Sequence, residues 1–109
     1  MTAANSEEAD RIASMLVETR LAACAQILPA IKSVYRWKGE ITRDNEILLL
    51  AKTVHGKFDE LDRAVRAIHS YETPEIVCIE IAAGSVPYLD WLRSEVERDP
   101  DPRNHTNQH

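Results

Sequence analysis

Four histidines are the residues of this chain best suited to metal or acid–base chemistry, and their settings differ. His69 opens the polar-aromatic run His69-Ser70-Tyr71-Glu72-Thr73-Pro74-Glu75, directly after an amphipathic stretch. A neutral imidazole there could ligate copper, zinc or nickel. The competing reading is a histidine at a helix C-terminus, bonded to the last carbonyls and favoured by the helix dipole. His105 and His109 have i, i+4 spacing but lie in a polar tail, where metal contact would be adventitious. His55 precedes Gly56 at a strand end and reads as an exposed turn residue. No catalytic set accompanies any of them: there is no nucleophile elbow, no supported Cys–His pair and no H-E-x-x-H. Gly39, Gly56 and Gly84 stand far apart, so the chain has no glycine-rich phosphate cradle. The expectation is a protein that is not an enzyme and requires no cofactor.

A second group is aromatic and polar. Tyr35, Trp37, Tyr71, Tyr88 and Trp91 hold most of the aromatic surface, and Glu46, Lys52, Glu72 and Glu75 are the charges able to join them. Such a set suits a ligand pocket or a subunit interface, where Trp and Tyr act as anchors; the interface is preferred.

These residues need elements to position them. Asn5-Ser6-Glu7-Glu8 marks a helix start, and Ala9, Ile12, Ala13, Leu16, Val17 and Leu21 follow at helical spacing. An apolar run from Cys24 to Leu28 is interrupted by Pro29. Ile31, Tyr35 and Trp37 then alternate with Lys32, Arg36 and Lys38 as a strand does. Gly39 turns the chain, Ile41 and Thr42 begin the return, Asp44-Asn45 suggests a kink or bulge, and a strand resumes over 46–54. The result is one long, bent hairpin whose tip projects beyond the domain. Phe58, Leu61, Ala64, Val65 and Ile68 line one face of a second helix opened by Gly56. Thr73-Pro74 leads to an expected strand over 76–83, and Val86-Pro87 opens a short third helix carrying Leu89, Leu92 and Val96. Residues 1–98 form one domain, and 99–109, with two prolines and no hydrophobe, read as a disordered tail.

Composition narrows the class. A chain of 109 residues, 44% hydrophobic and 28% charged, is a single globular domain. A net charge of −5 argues against a nucleic-acid partner and weakly favours cations. No apolar run is long enough to span a membrane, and the first residues do not read as a signal peptide. Cys24 and Cys78 lie in apolar runs and read as buried small hydrophobes, which places the protein in the cytoplasm.

Helix, hairpin, helix, strand, helix is the order of a ferredoxin-like split βαβ domain, which also needs a strand ahead of the first helix; only 1–4 is available for it. Such α+β domains place their helices on one face of an antiparallel sheet. Ile47-Leu48-Leu49-Leu50-Ala51 and Ile76-Val77-Cys78-Ile79 are apolar on both faces, so the helix-free face must also be covered. Self-association is the simplest cover.

Four blocks, Leu21-Ala22-Ala23-Cys24, Tyr35-Arg36-Trp37-Lys38-Gly39-Glu40-Ile41, His69 to Glu75, and Tyr88-Leu89-Asp90-Trp91-Leu92, resemble in order and spacing the CutA family of divalent-cation tolerance proteins. The resemblance covers nearly the whole chain. It implies a compact homotrimer with hairpins reaching onto neighbouring subunits, and a central first strand of which this chain retains the last residues. It implies that the aromatic and polar set lines crevices between subunits, and that His69 matches a histidine linked to copper or other divalent cations. The chain departs from the pattern at three positions: Ile68 stands where some members have a second histidine, Met1 where they have a cysteine, and Ser70 where proline is common. The function implied is divalent-cation tolerance, with copper or another divalent cation held weakly at the crevices. The alternative is a very stable trimeric scaffold acting through a protein partner.

Overall fold

The computed structural model describes residues 1–98. The expected tail over 99–109, with His105 and His109, lies outside the described residues. Its elements run β1 (Thr2–Ala3), α1 (Ser6–Glu18), β2 (Cys24–Trp37), β3 (Glu40–Lys52), a 3₁₀ turn (His55–Lys57), α2 (Phe58–Ile68) and α3 (Val86–Glu97).

Local chemistry accounts for each boundary. Asn5, in extended geometry, accepts the N–H of Glu8 at 2.9 Å and so starts α1. At its far end Arg20 adopts φ 60°, and Leu21 N–H returns to the Leu16 carbonyl at 2.9 Å. The same arginine donates to the Glu95 carbonyl at 2.9 Å and pairs with its carboxylate at 3.7 Å, tying α3 to the end of α1. Lys38 and Gly39, both at positive φ, form the two-residue turn that joins Trp37 to Glu40.

The sheet is antiparallel in the order β1-β3-β2. Its one irregularity lies between Leu28 and Ile31, where Pro29 and Ala30 stand against Ile47 alone. Proline has no N–H for the ladder and Ala30 takes φ 55°, so the extra residue is accommodated there as a bulge. Asp44 and Asn45, the expected kink, pair regularly with Ser33 and Lys32. The hairpin is long, and the molecule extends 51 × 31 × 23 Å.

Pleat alternation sorts β3. Ile47 and Leu49 join Ala3, Ala9, Ile12, Leu16, Leu21, Ala22, Leu61 and Val65 in the core beneath α1 and α2. Leu48 and Leu50 take the opposite face, where Leu28 and Leu50 are exposed. A smaller cluster of Ala23, Leu92 and Val96 seats α3.

The expected strand over 76–83 does not form. Among the described residues, none of 76–83 makes a backbone–backbone hydrogen bond, and Val77, Ile79 and Ile81 are exposed. On this side of β3 the backbone pairing runs through Thr2 and Ala3 to Met1. Beyond it, a cavity of about 870 Å³ separates Leu48–Val54 from Glu75–Ala82. An apolar segment without an edge to pair with cannot be a strand. The cysteines are not buried either: Cys78 is exposed on that segment, and Cys24 is half-buried with its Sγ 3.5 Å from the Tyr88 hydroxyl.

Candidate functional site

The site grows out of the start of α1. Glu8 follows Asn5 by three residues, and its carboxylate is turned inward and almost fully enclosed. One oxygen accepts the Ala4 N–H at 2.9 Å and the other the Ser70 N–H at 2.7 Å. Burial pushes this carboxyl up, but the bonds from Ala4 and Ser70 outweigh it and hold the group below its ordinary value. Glu8 therefore clamps the start of the first helix to the loop after the second.

His69 ends α2, with its N–H on the Val65 carbonyl at 2.9 Å. Its ring is fully enclosed and points across the domain to β1. The Tyr71 N–H can only donate, so Nδ1 accepts it, at 3.0 Å. Nε2 then carries the proton and donates to the Thr2 carbonyl at 2.8 Å. The Glu8 carboxylate lies 3.9 Å from Nδ1. Both ring nitrogens are committed, so the expectation of His69 as a metal ligand is not met by this geometry: coordination would have to break one of two buried bonds. His69 is the C-terminal cap residue of α2 as expected, but its ring bonds β1 rather than the carbonyls of α2.

Ser70 offers a separate test. His69 has ψ 142°, a conformation that tolerates a following proline. Ser70→Pro therefore removes the N–H that Glu8 accepts with little strain at His69. A bond to a charged acceptor contributes roughly 1.5–3 kcal/mol. We expect urea unfolding to show that loss; an unchanged midpoint would mean Glu8 does not act as a clamp.

The helix-free face of the sheet carries the crevice. Tyr35 and Trp37 from β2, Glu46 from β3, and Ser70, Tyr71, Glu72, Thr73 and Glu75 from the loop line a cavity of about 650 Å³. Tyr71 donates its hydroxyl to Glu46 at 2.8 Å, and Tyr35 donates to Asp44. Glu46 is buried, and Tyr71 is pushed well above the usual phenol range by burial and then by the Glu46 carboxylate. Trp37, 41% exposed, lies at the rim with Lys38 Nζ 5.7 Å from its ring centre.

Of the nine residues expected to gather, six do: Tyr35, Trp37, Glu46, Tyr71, Glu72 and Glu75. Lys52 lies further along β3, bonded to Gln26 across the ladder. Tyr88 and Trp91 meet on α3 as a tilted pair, ring centres 5.6 Å apart, with the Tyr88 hydroxyl 3.5 Å from Cys24 Sγ. Among the described residues, no three His, Cys, Asp or Glu side chains converge as a metal set would. Glu8 was missed as a site residue, although its place in the Asn5 capping pattern is legible.

A three-stranded antiparallel sheet with helices on one face, and with an aromatic–acidic crevice merging into exposed leucines on the other, defines a small α+β protein whose prominent surface is a sheet face. The chain belongs to the CutA1 divalent ion tolerance protein family, whose model matches residues 1–95. It is 50% identical over 93 residues to the divalent-cation tolerance protein CutA of Thermus thermophilus, covering 85% of this chain and 90% of that one. It is 40% identical over 101 residues to the human protein CutA, covering 93% of this chain but only 56% of the human one. The solved Thermus structure superposes with a TM-score of 0.84, covering 86% of this chain and 91% of that one. A structure described as the periplasmic divalent cation tolerance protein CutA from Archaeoglobus fulgidus reaches 0.85 at 45% identity, covering 88% and 93%. No helix among the described residues is long and apolar enough to cross a membrane.

Proposed function

We propose that this protein serves divalent-cation tolerance as a homotrimer, without catalysing a reaction, and that it holds copper or another divalent cation weakly at crevices between copies. The observation that carries the reading is the continuity of one face. Leu28, Leu48 and Leu50 lie beside the Glu46 crevice on the side of the sheet that no helix covers. Packing copies on the leucines would close the crevice and bring acidic side chains from neighbouring chains together. The family's role and the relatives' names support the tolerance function.

The donors of such a site are carboxylates, Glu46, Glu72 and Glu75, because the His69 nitrogens are already bonded. Carboxylates remain charged well below pH 6.5, whereas an imidazole site empties as pH falls through that value. Calorimetric titration with copper(II) and zinc should show weak saturable uptake that survives deletion of 99–109 and holds from pH 7 to about pH 5.5. Glu46→Gln with Glu75→Gln should abolish it. Uptake lost with His69→Gln but kept in the paired glutamine variant would return the metal to the histidine. No uptake beyond that of the tail would leave the scaffold reading.

A further inference from the structure

The aromatic–acidic crevice is lined from two elements. The sheet supplies Glu46 with the rings of Tyr35 and Trp37, and the loop after α2 supplies Tyr71, Glu72 and Glu75. Glu46 is 6% exposed, and its one partner among the described residues is the Tyr71 hydroxyl, on a single carboxylate oxygen. Among the described residues, no Lys, Arg or His side chain forms an ion pair with Glu46, Glu72 or Glu75. A buried carboxylate without a cation is costly, so the crevice is suited to receive positive charge.

Size and spacing select the kind of cation. A metal ion needs carboxylate oxygens roughly 2–2.6 Å from one point. Among the described residues of one chain, the acids do not converge in that way. They border a cavity of about 650 Å³ instead, within the roughly 300–1,000 Å³ that suits a small organic ligand. Glu72 and Glu75 stand three residues apart in the loop, up to about 10 Å of chain, and Glu46 belongs to the sheet. Aromatic faces attract ammonium groups, and at the rim Lys38 already places Nζ 5.7 Å from the Trp37 ring centre. The Tyr35 and Tyr71 hydroxyls are bonded to Asp44 and Glu46, and the His69 ring packs 4.9 Å from that of Tyr71. These rings are therefore held in place before a ligand arrives. We infer, resting on the reading of this crevice as a cation site, that its occupants are short aliphatic diamines. One ammonium group pairs with Glu46 on the sheet and the other with Glu72 or Glu75 on the loop. The alkyl chain between them lies against the tyrosine and tryptophan rings.

The probe is putrescine, titrated calorimetrically into the full chain at low salt, with butylamine as the single-ended control and copper(II) measured beside it. Saturable uptake of putrescine is expected, with butylamine bound about tenfold or more weakly because one charged pair is lost. Glu72→Gln with Glu75→Gln removes the loop end and should bring putrescine down to the affinity of butylamine. Trp37→Leu should weaken putrescine about threefold or more. It should leave copper(II) uptake unchanged, because the indole offers a metal no lone pair. Equal affinity for the two amines in the wild type would overturn the two-ended pairing. A Trp37→Leu chain that takes up putrescine as the wild type does would overturn the aromatic contact. Copper(II) uptake without putrescine uptake would sink the diamine and leave the metal reading standing. Putrescine uptake without copper(II) uptake would support the diamine and remove the metal. Uptake of neither would end both.

Discussion

Glu8→Ala should cost roughly 3–6 kcal/mol. Two backbone donors, Ala4 and Ser70, lose a charged acceptor, each such bond contributing about 1.5–3 kcal/mol. Against a total of roughly 5–15 kcal/mol, one surface-to-core clamp then carries a large share of stability. The effect has a pH signature. The Glu8 carboxyl is held below its ordinary value in the folded chain. A depressed carboxyl contributes stability that is fully present above the unfolded-state value, about pH 4.3. That stability is lost as pH falls through the lower folded value. Wild-type stability should therefore drop on acidification below about pH 4.5, and Glu8→Gln should flatten part of that drop. Chemical denaturation at pH 7 and pH 3.5 measures both. An acid profile that Glu8→Gln leaves unchanged would deny the clamp.

Leu49→Lys should leave no folded protein. Leu49 is 1% exposed within the core. Truncating a buried leucine costs about 2–5 kcal/mol, and an unpaired buried charge adds several more. Its neighbour is the contrast. Leu50 is 42% exposed on the helix-free face, so Leu50→Lys should keep native far-ultraviolet dichroism in the individual subunit. If both variants fold equally well, the pleat assignment of β3 is wrong.

Local signals were legible where the chemistry is local. The Asn5 cap, the spacing of Ile12 and Leu16, the Gly39 turn and the apolar face of α2 each depend on residues a few positions apart, and each appears as read. The bulge was misplaced because Asp44-Asn45 has turn composition, whereas the lost ladder donor is at Pro29. The segment 76–83 has strand composition, but a strand needs an edge, and composition cannot supply one. The crevice was partly legible through the family resemblance, which groups its aromatics and acids; Tyr35, Trp37 and Glu46 share one side of the hairpin, and Tyr71, Glu72 and Glu75 come from the loop after α2. Tyr88 and Trp91 were grouped with it by residue type and belong to another element. His69 was the hardest to read. Its partners, Thr2 and Glu8, are more than sixty residues away in sequence, and a ligand and a structural imidazole look alike until those bonds are seen.

The helix-free face explains most about this molecule if copies of the chain cover it. Light scattering of the purified protein at micromolar concentration tests this directly, with Leu50→Lys measured beside it. We expect the mass of three chains for the wild type and a smaller mass for Leu50→Lys with its helices and sheet intact. A wild-type protein that stays a well-behaved monomer, with Leu28 and Leu50 open to water, would contradict it.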